Sequence, residues 1–220
     1  MEGNALGSVA RIWRYPIKSL RGEALQAVRI EAGGLVGDRR GALVVHTPEH
    51  ARDGKPLRGK EHNLFHTTAD VATAWSLAQR RGVAVALEDD GPYFDARPVS
   101  VLVDCWLHEI EELVGARLDP LRYRPNLFVV ATAPCEPEEA YVGRRLEIDN
   151  VALRVVAPIK RCVTTTYDVV TGAPDPRVLR SLARERDNVM GIYCTVERPG
   201  SVALGASVTA FDDPPAPSSA

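Results

Sequence analysis

Frequent chain breakers set between short apolar runs constrain this sequence more than any other feature. The 220 residues carry 17 glycines and 16 prolines, so few uninterrupted stretches are long enough for a helix. The pieces between breakers alternate or run apolar over about four to eight residues, which is the signature of strands. Val9-Ala10-Arg11-Ile12-Trp13-Arg14-Tyr15 alternates at period two, and residues 24–30 do so more loosely, with a turn at Ser19-Leu20-Arg21-Gly22 between them. Further strands are expected at residues 41–45, 83–87, 99–103, 126–131, 193–196 and 207–211, with a hairpin of 145–148 and 151–156 about Asp149-Asn150. Residues 70–80 and 178–186 read as helices. So do residues 105–114, where Trp106, Leu107, Ile110, Leu113 and Val114 recur at helical spacing and Gly115 is a fitting stop. Residues 47–60 are polar, with two prolines and two glycines, and read as an irregular surface loop. The expected fold class is mainly β with a few helices (α+β), in two units at 8–92 and 93–212, before a disordered tail at 213–220.

The formal net charge of −2 offers no global field for nucleic acid or an anionic membrane. The first eight residues lack a basic and an apolar region of the secretory kind, and no run of about eighteen apolar residues exists. Cys105, Cys135, Cys162 and Cys194 stand singly, which argues against a zinc site, an iron–sulfur site or a disulfide-stapled scaffold. The expectation is a cytoplasmic protein with reduced thiols and no nucleic-acid or membrane partner.

Arg161-Cys162-Val163-Thr164-Thr165-Thr166-Tyr167-Asp168, closed by Thr171-Gly172, carries the clearest chemistry. One cysteine stands between a cationic pair, Lys160 and Arg161, and a run of hydroxyls. Neighbouring positive charge favours thiolate, the nucleophilic and metal-binding form of cysteine. Hydroxyls, backbone N–H groups and cations suit phosphate. The segment reads as a place to hold a metal and an anionic cofactor tail together, against the blander alternative of a half-buried structural cysteine.

Tyr15-Pro16-Ile17-Lys18-Ser19, then Gly37-Asp38-Arg39, then Arg124-Pro125-Asn126, then Arg161-Cys162 through Gly172 follow in an order that resembles the MOSC family. This is the C-terminal domain type of molybdenum cofactor sulfurases, and the resemblance covers roughly residues 8–211. It is closest to the branch that includes the amidoxime-reducing components. The resemblance implies a small N-terminal β-barrel packed on a MOSC β-barrel domain, meeting near residues 88–98 and sharing core and site. It implies the molybdenum cofactor (Mo-molybdopterin), with Cys162 as metal ligand and catalytic residue. Lys18, Arg39 (or Arg40 in its place), Arg124, Asn126 and Arg161 would hold the cofactor's anionic end. Thr165 and Asp168 would shape the loop, Asp168 as an Asx-type cap.

The implied reaction is two-electron reduction of an N-hydroxylated or N-oxide-type small molecule. With no Cys-rich ferredoxin segment and no G-x-G-x-x-G, an external donor of ferredoxin, flavodoxin or cytochrome b5 type is expected. Two alternatives stay open: a sulfur carrier or sulfurtransferase with persulfide on Cys162, and a non-catalytic cofactor carrier.

His46-Thr47-Pro48-Glu49-His50 matches a zinc-peptidase pentad, but Pro48 disfavours the helix that chemistry needs. His62 and His66 are also four apart, with no third ligand in view. The resemblance is imperfect after Ser100. Relatives commonly carry Ser and Thr there, whereas this chain reads Val101-Leu102-Val103-Asp104-Cys105-Trp106, which would put the Asp104 anion near an anionic cofactor. The segment from Pro92 to Pro125 is also shorter than in the amidoxime reducers.

Overall fold

The computed structural model describes residues 3–58 and 70–212. In chain order the elements are β1 (Asn4–Arg14), β2 (Glu23–Leu25), β3 (Ala27–Glu31), β4 (Gly34–Leu35), β5 (Ala42–Val45), α1 (Val71–Arg80), β6 (Val85–Glu88) and β7 (Val99–Val103). There follow α2 (Asp104–Val114), β8 (Leu127–Ala131), β9 (Arg145–Ile148), β10 (Val151–Lys160), α3 (Pro176–Glu185), β11 (Val189–Arg198), β12 (Gly200–Ala203) and β13 (Ser207–Phe211). Strands run β13-β9-β10-β11-β7-β8-β1 and close back onto β13, giving a seven-strand barrel with β2 appended to β1. Closure leaves no open edge in that ring.

Among the strands of the described residues only β7 and β8 pair in parallel, and α2 is the crossover that parallel pairing requires. It buries Trp106, Leu107, Ile110 and Val114 against the barrel, while Leu113 is exposed and Glu111 takes a buried place. The long β10–β11 pair carries three register shifts, the kind of irregularity that bends strands around a small barrel. The barrel interior and its cover of α2 and α3 form the main core. A smaller cluster joins Leu20, Leu43, Val45 and Leu57 to Ala74 and Ala78 of α1, beside the β5–β6 pair. Asp70 caps α1 by accepting from the N–H groups of Ala72 and Thr73.

The fold class matches the expectation, and so do the three helices and the 149–150 hairpin. The expected strand at 24–30 breaks at Gln26: β2 pairs with β1, whereas β3 pairs with β12 and β4 in a separate sheet. Continuous alternation therefore spans two sheets, because Gln26 redirects the chain without a glycine or proline to mark it. His46 directly follows β5 and His50 closes the turn begun at Thr47, so neither lies on a helix; His46 meets Glu88 at 3.0 Å and His50 accepts from the Arg52 N–H. His62, His66 and the tail lie outside the described residues. No helix among the described residues is long and apolar enough to cross a membrane.

The expectation of reduced, separate thiols fails at one pair. Cys105 and Cys135 form a disulfide, with Cα atoms 6.3 Å apart across 30 residues of sequence. Spacing gave no sign of it because the parallel β7–α2–β8 arrangement brings the start of α2 next to the segment leaving β8. Without reductant the unfolded chain should show two titratable thiols, Cys162 and Cys194, and four after reduction. Closing a loop of about thirty residues should stabilise the fold by about 3–4 kcal/mol. The Cys105→Ser/Cys135→Ser variant should therefore melt well below the oxidised protein, and equal melting with four thiols before reduction would refute the bridge.

Candidate functional site

Strand registers bring the end of β1 and the starts of β7 and β8 to one end of the barrel, and the antiparallel β10–β11 pair carries Ile159, Lys160, Arg161, Cys162 and Tyr193 to the cavity there. The Tyr15 N–H donates to Asp38 Oδ1 at 2.7 Å, the Arg39 N–H to the Tyr15 carbonyl at 2.6 Å, and the Lys18 N–H to the Gly41 carbonyl at 2.8 Å. Tyr15-to-Lys18 and Asp38-to-Gly41 are thus zipped together. A 3-10 turn over Pro120–Tyr123, capped by Asp119, delivers Arg124 in a left-handed conformation just before Pro125 and β8. Arg39 is left-handed too, with φ 49° like Arg124. With Ser19 (φ 70°) in the same lining, three non-glycine residues of this sparsely populated region meet at one site and mark backbone strain held in place by its surroundings. The end of β10 delivers Arg161 and Cys162, followed by a 3-10 turn over Val163–Thr166.

These segments enclose a cavity of about 450 Å³. Lys18, Arg39, Arg124 and Arg161 line it, joined by Arg52, Arg58, Arg122 and Lys160, while Asp95 is the only carboxylate in the lining among the described residues. Among them Lys18 pairs with Asp95 at 2.6 Å, Arg39 with Asp38, Arg122 with Asp168 at 3.0 Å, and Lys160 with Asp187. Arg124 and Arg161 have no carboxylate partner among the described residues. Arg124 donates to the Leu20 carbonyl at 2.6 Å and lies 4.3 Å from the Tyr15 ring centre. Arg161 donates to the carbonyls of Met190 (2.8 and 2.5 Å) and Tyr123 (2.8 Å). Carbonyls and an aromatic face ease a cation's desolvation without neutralising it.

Burial lowers the pKa of Arg124, with the like charge of Arg39 adding to it, and burial lowers that of Arg161. At Arg39 burial works against the charge, but Asp38 more than offsets it and the pKa rises. Burial likewise opposes the Asp95 charge, and Lys18 outweighs it, holding this carboxyl below its ordinary value. Burial pushes the Tyr123 hydroxyl up to about 12, and that buried oxygen has no hydrogen-bond partner among the described residues.

Cys162 is exposed at the cavity, its Sγ 3.4 Å from Thr164 Oγ1. Thr165 also lines the cavity and ties its hydroxyl to the Cys162 carbonyl at 3.0 Å, fixing the turn. No group of three or more His, Cys, Asp or Glu among the described residues could hold a bare metal ion. A metal at Cys162 would therefore need ligands brought by its own cofactor. A lone thiol beside two unneutralised guanidinium groups fits a metal carried on an anionic organic group.

Of the expected residues, Lys18, Arg39, Arg124, Arg161, Cys162 and Thr165 line the cavity, and Arg40 is exposed outside the lining. Asn126 and Asp168 do not line it. Asn126 is buried; its Oδ1 accepts from the Ser100 N–H (3.1 Å) and hydroxyl (3.0 Å) and its Nδ2 donates to the Trp13 carbonyl. Asp168 accepts from the N–H groups of Val170 and Thr171, as an Asx-type cap does, and anchors Arg122. Asp104 lies outside the lining as well and accepts from the Ala131 N–H at 2.9 Å, so its charge serves the start of α2. Sequence reading missed Arg52, Arg58, Arg122, Asp95, Tyr123 and Tyr193 in the lining. Only Arg122 and Tyr123, directly before Arg124, lay beside a motif.

The fold and site define a β-barrel domain with a basic cavity and a single thiol at its edge. The chain belongs to the MOSC family: the MOSC domain matches residues 88–209, and the MOSC N-terminal beta barrel domain matches residues 6–53. It is similar to mitochondrial amidoxime reducing component 2 of Bos taurus, 28% identical over 129 residues that cover 53% of this chain and 38% of that protein. Mitochondrial amidoxime-reducing component 1 of Mus musculus is 27% identical over 134 residues, covering 55% and 38%. The chain thus matches less than two fifths of these relatives' length. The crystal structure of the YuaD protein from Bacillus subtilis shares the fold, with TM-score 0.56, 18% identity and 96% coverage of both chains.

Asp38 supports Arg39, itself a buried cation. Its side chain is fully buried and serves both the Tyr15 N–H and Arg39. Asp38→Asn should cost about 3–5 kcal/mol, the typical penalty for leaving a buried charge unpaired. Urea denaturation checks this; a loss under about 1 kcal/mol would mean that Arg39 finds another counter-charge.

Proposed function

We propose that this protein binds the molybdenum cofactor, with Cys162 as a thiolate ligand to the metal, and acts as a two-electron oxidoreductase on an N-hydroxylated or N-oxide-type small molecule. The observation that carries this reading is the pair of deeply set cations, Arg124 and Arg161, held without counter-charge beside the exposed Cys162 thiol. Together they suit a phosphate on the cofactor's pterin end, for which arginine provides a bidentate grip. Lys18 and Arg39 add charge to the same wall. Asn126 and Asp168 act behind the wall, Asn126 by orienting Ser100 and Asp168 by closing the loop that carries Cys162. Thr165 holds the carbonyl of Cys162 and so keeps the thiol turned at the cavity edge.

When bound, the cofactor would supply the two-electron chemistry, R–NHOH + 2e⁻ + 2H⁺ giving R–NH₂ + H₂O, drawing electrons from an external donor protein. The chain's own contribution is ligation, charge and a shaped cavity. A persulfide carried on Cys162 would need no such anion grip, which ranks the sulfur-carrier reading second. A non-catalytic carrier would keep the grip and lack turnover.

Protein from a cofactor-competent host should contain near-stoichiometric molybdenum by elemental mass spectrometry and pterin by fluorescence after oxidation. Cys162→Ser should lose at least a hundredfold in amidoxime reduction with a reduced dye as donor. Arg124→Ala and Arg161→Ala should retain pterin about ten- to a hundredfold less tightly, the usual worth of a charge-assisted hydrogen bond. Metal and pterin without turnover would leave a carrier; neither in a folded sample would sink both and favour the persulfide.

A further inference from the structure

Glu138 is a buried carboxylate that lines no part of the basic cavity and lies in a second cleft beside Arg186 and Cys135. Its Oε1 accepts from the Gly191 N–H at 3.0 Å, and its Oε2 pairs with Arg186. The peptide unit that Glu138 grips by its N–H presents its carbonyl, that of Met190, to Arg161. That oxygen accepts from Arg161 Nε at 2.8 Å and from a terminal nitrogen at 2.5 Å. A peptide is planar, so fixing the N–H fixes the direction of the C=O. Hydrogen bonds on its two sides also polarise one another.

We propose that Glu138 is a positioning residue for Arg161, acting through the Met190–Gly191 peptide to aim and stabilise the guanidinium that faces the cavity. A carboxylate in direct contact with Arg161 would neutralise it and compete with an incoming anion. Placed one peptide away and itself paired with Arg186, Glu138 holds the peptide whose carbonyl takes two N–H groups of Arg161, and leaves the outward N–H groups of the guanidinium for a ligand. Gly191 makes the arrangement possible. Its φ is +84°, and a Cβ there would fall 2.7 Å from the Val101 carbonyl oxygen and 3.3 Å from an Arg161 terminal nitrogen. Burial raises the Glu138 pKa, opposed by Arg186 and the Gly191 N–H, so the charge depends on the partners that hold it. The consequence for anion binding rests on the cofactor reading above; the positioning itself does not.

The test follows hydrogen exchange of the Arg161 Nε–H by nitrogen-15 NMR in the full chain. Glu138→Gln keeps the shape and an acceptor but removes the charge, and exchange at Arg161 should accelerate at least tenfold. The Arg154 Nε–H, held by Glu197 at 2.7 Å, is the internal control and should not change. Unchanged exchange at Arg161, or equal acceleration at Arg154, would overturn the proposal. If the Gln variant does not fold, Glu138→Asp, one methylene shorter, is judged by the same criterion.

Orthophosphate titrated calorimetrically should bind the wild type about tenfold more tightly than Glu138→Gln, and the difference should vanish on an Arg161→Ala background. Persistence there would count against action through Arg161. A wild type that binds no phosphate would sink the anion-grip reading alone, because the exchange measurement decides Glu138 without any ligand.

Discussion

Two guanidinium groups set deep in a wall without counter-charge are the constraint on which the rest of this site depends. A buried charge is tolerated when it is paired or well hydrogen-bonded. Lys18, Arg39 and Arg122 take the first route through Asp95, Asp38 and Asp168. Arg124 and Arg161 take the second, through the carbonyls of Leu20, Met190 and Tyr123 and the rings of Tyr15 and Tyr123. The difference has a functional meaning, because carbonyls and rings stabilise a cation without cancelling the field it projects into the cavity. A wall built wholly of ion pairs would be more comfortable when empty and poorer at holding an anion.

Holding those carbonyls still is a task for the barrel. The Met190 carbonyl sits at the start of β11, the Tyr123 carbonyl at the end of a 3-10 turn that leads into β8, and the Leu20 carbonyl on the chain between β1 and β2. Three separate parts of the sequence must converge to within hydrogen-bond length, and closure of seven strands fixes their relative positions without a dedicated scaffold. The bulges along β10 and β11 contribute by bending these two long paired strands so that Arg161 meets Met190 across the register shift between Pro158 and Lys160. Function here is sensitive to register in a way that core packing alone is not.

Most of the strands were legible because half-buried alternation and turn chemistry are local signals. Residues 9–15, 99–103 and 207–211 need no tertiary information to be read as strands. The disulfide and the split of the 24–30 strand were hidden, since both depend on which distant strand becomes a neighbour. The cations of the cavity were half legible. Lys18, Arg39, Arg124 and Arg161 sit in motifs, whereas Arg52, Arg58 and Asp95 lie in segments whose sequence marks nothing and which reach the cavity only through the fold.

Asn126 and Asp168 show why residue type and motif membership misplace a side chain by one layer. Both are polar, both adjoin cationic motif residues, and both would suit a phosphate. A buried amide, however, must satisfy its acceptor and donors wherever the backbone puts them. At the start of β8 the nearest partners are Ser100 on β7 and Trp13 on β1, so Asn126 spends its capacity joining three strands. Asp168 is drawn to the free N–H groups of its own loop and to Arg122 for the same reason. Pairing Arg122 has a further effect on the cavity. It removes one cation's charge from the wall next to the Cys162 turn, while the Thr166 carbonyl takes another N–H of the same guanidinium. Arg161, next to Cys162 in sequence and without a carboxylate partner among the described residues, keeps its charge beside the thiol. A polar residue behind the wall can thus decide which charge a ligand meets without ever touching it.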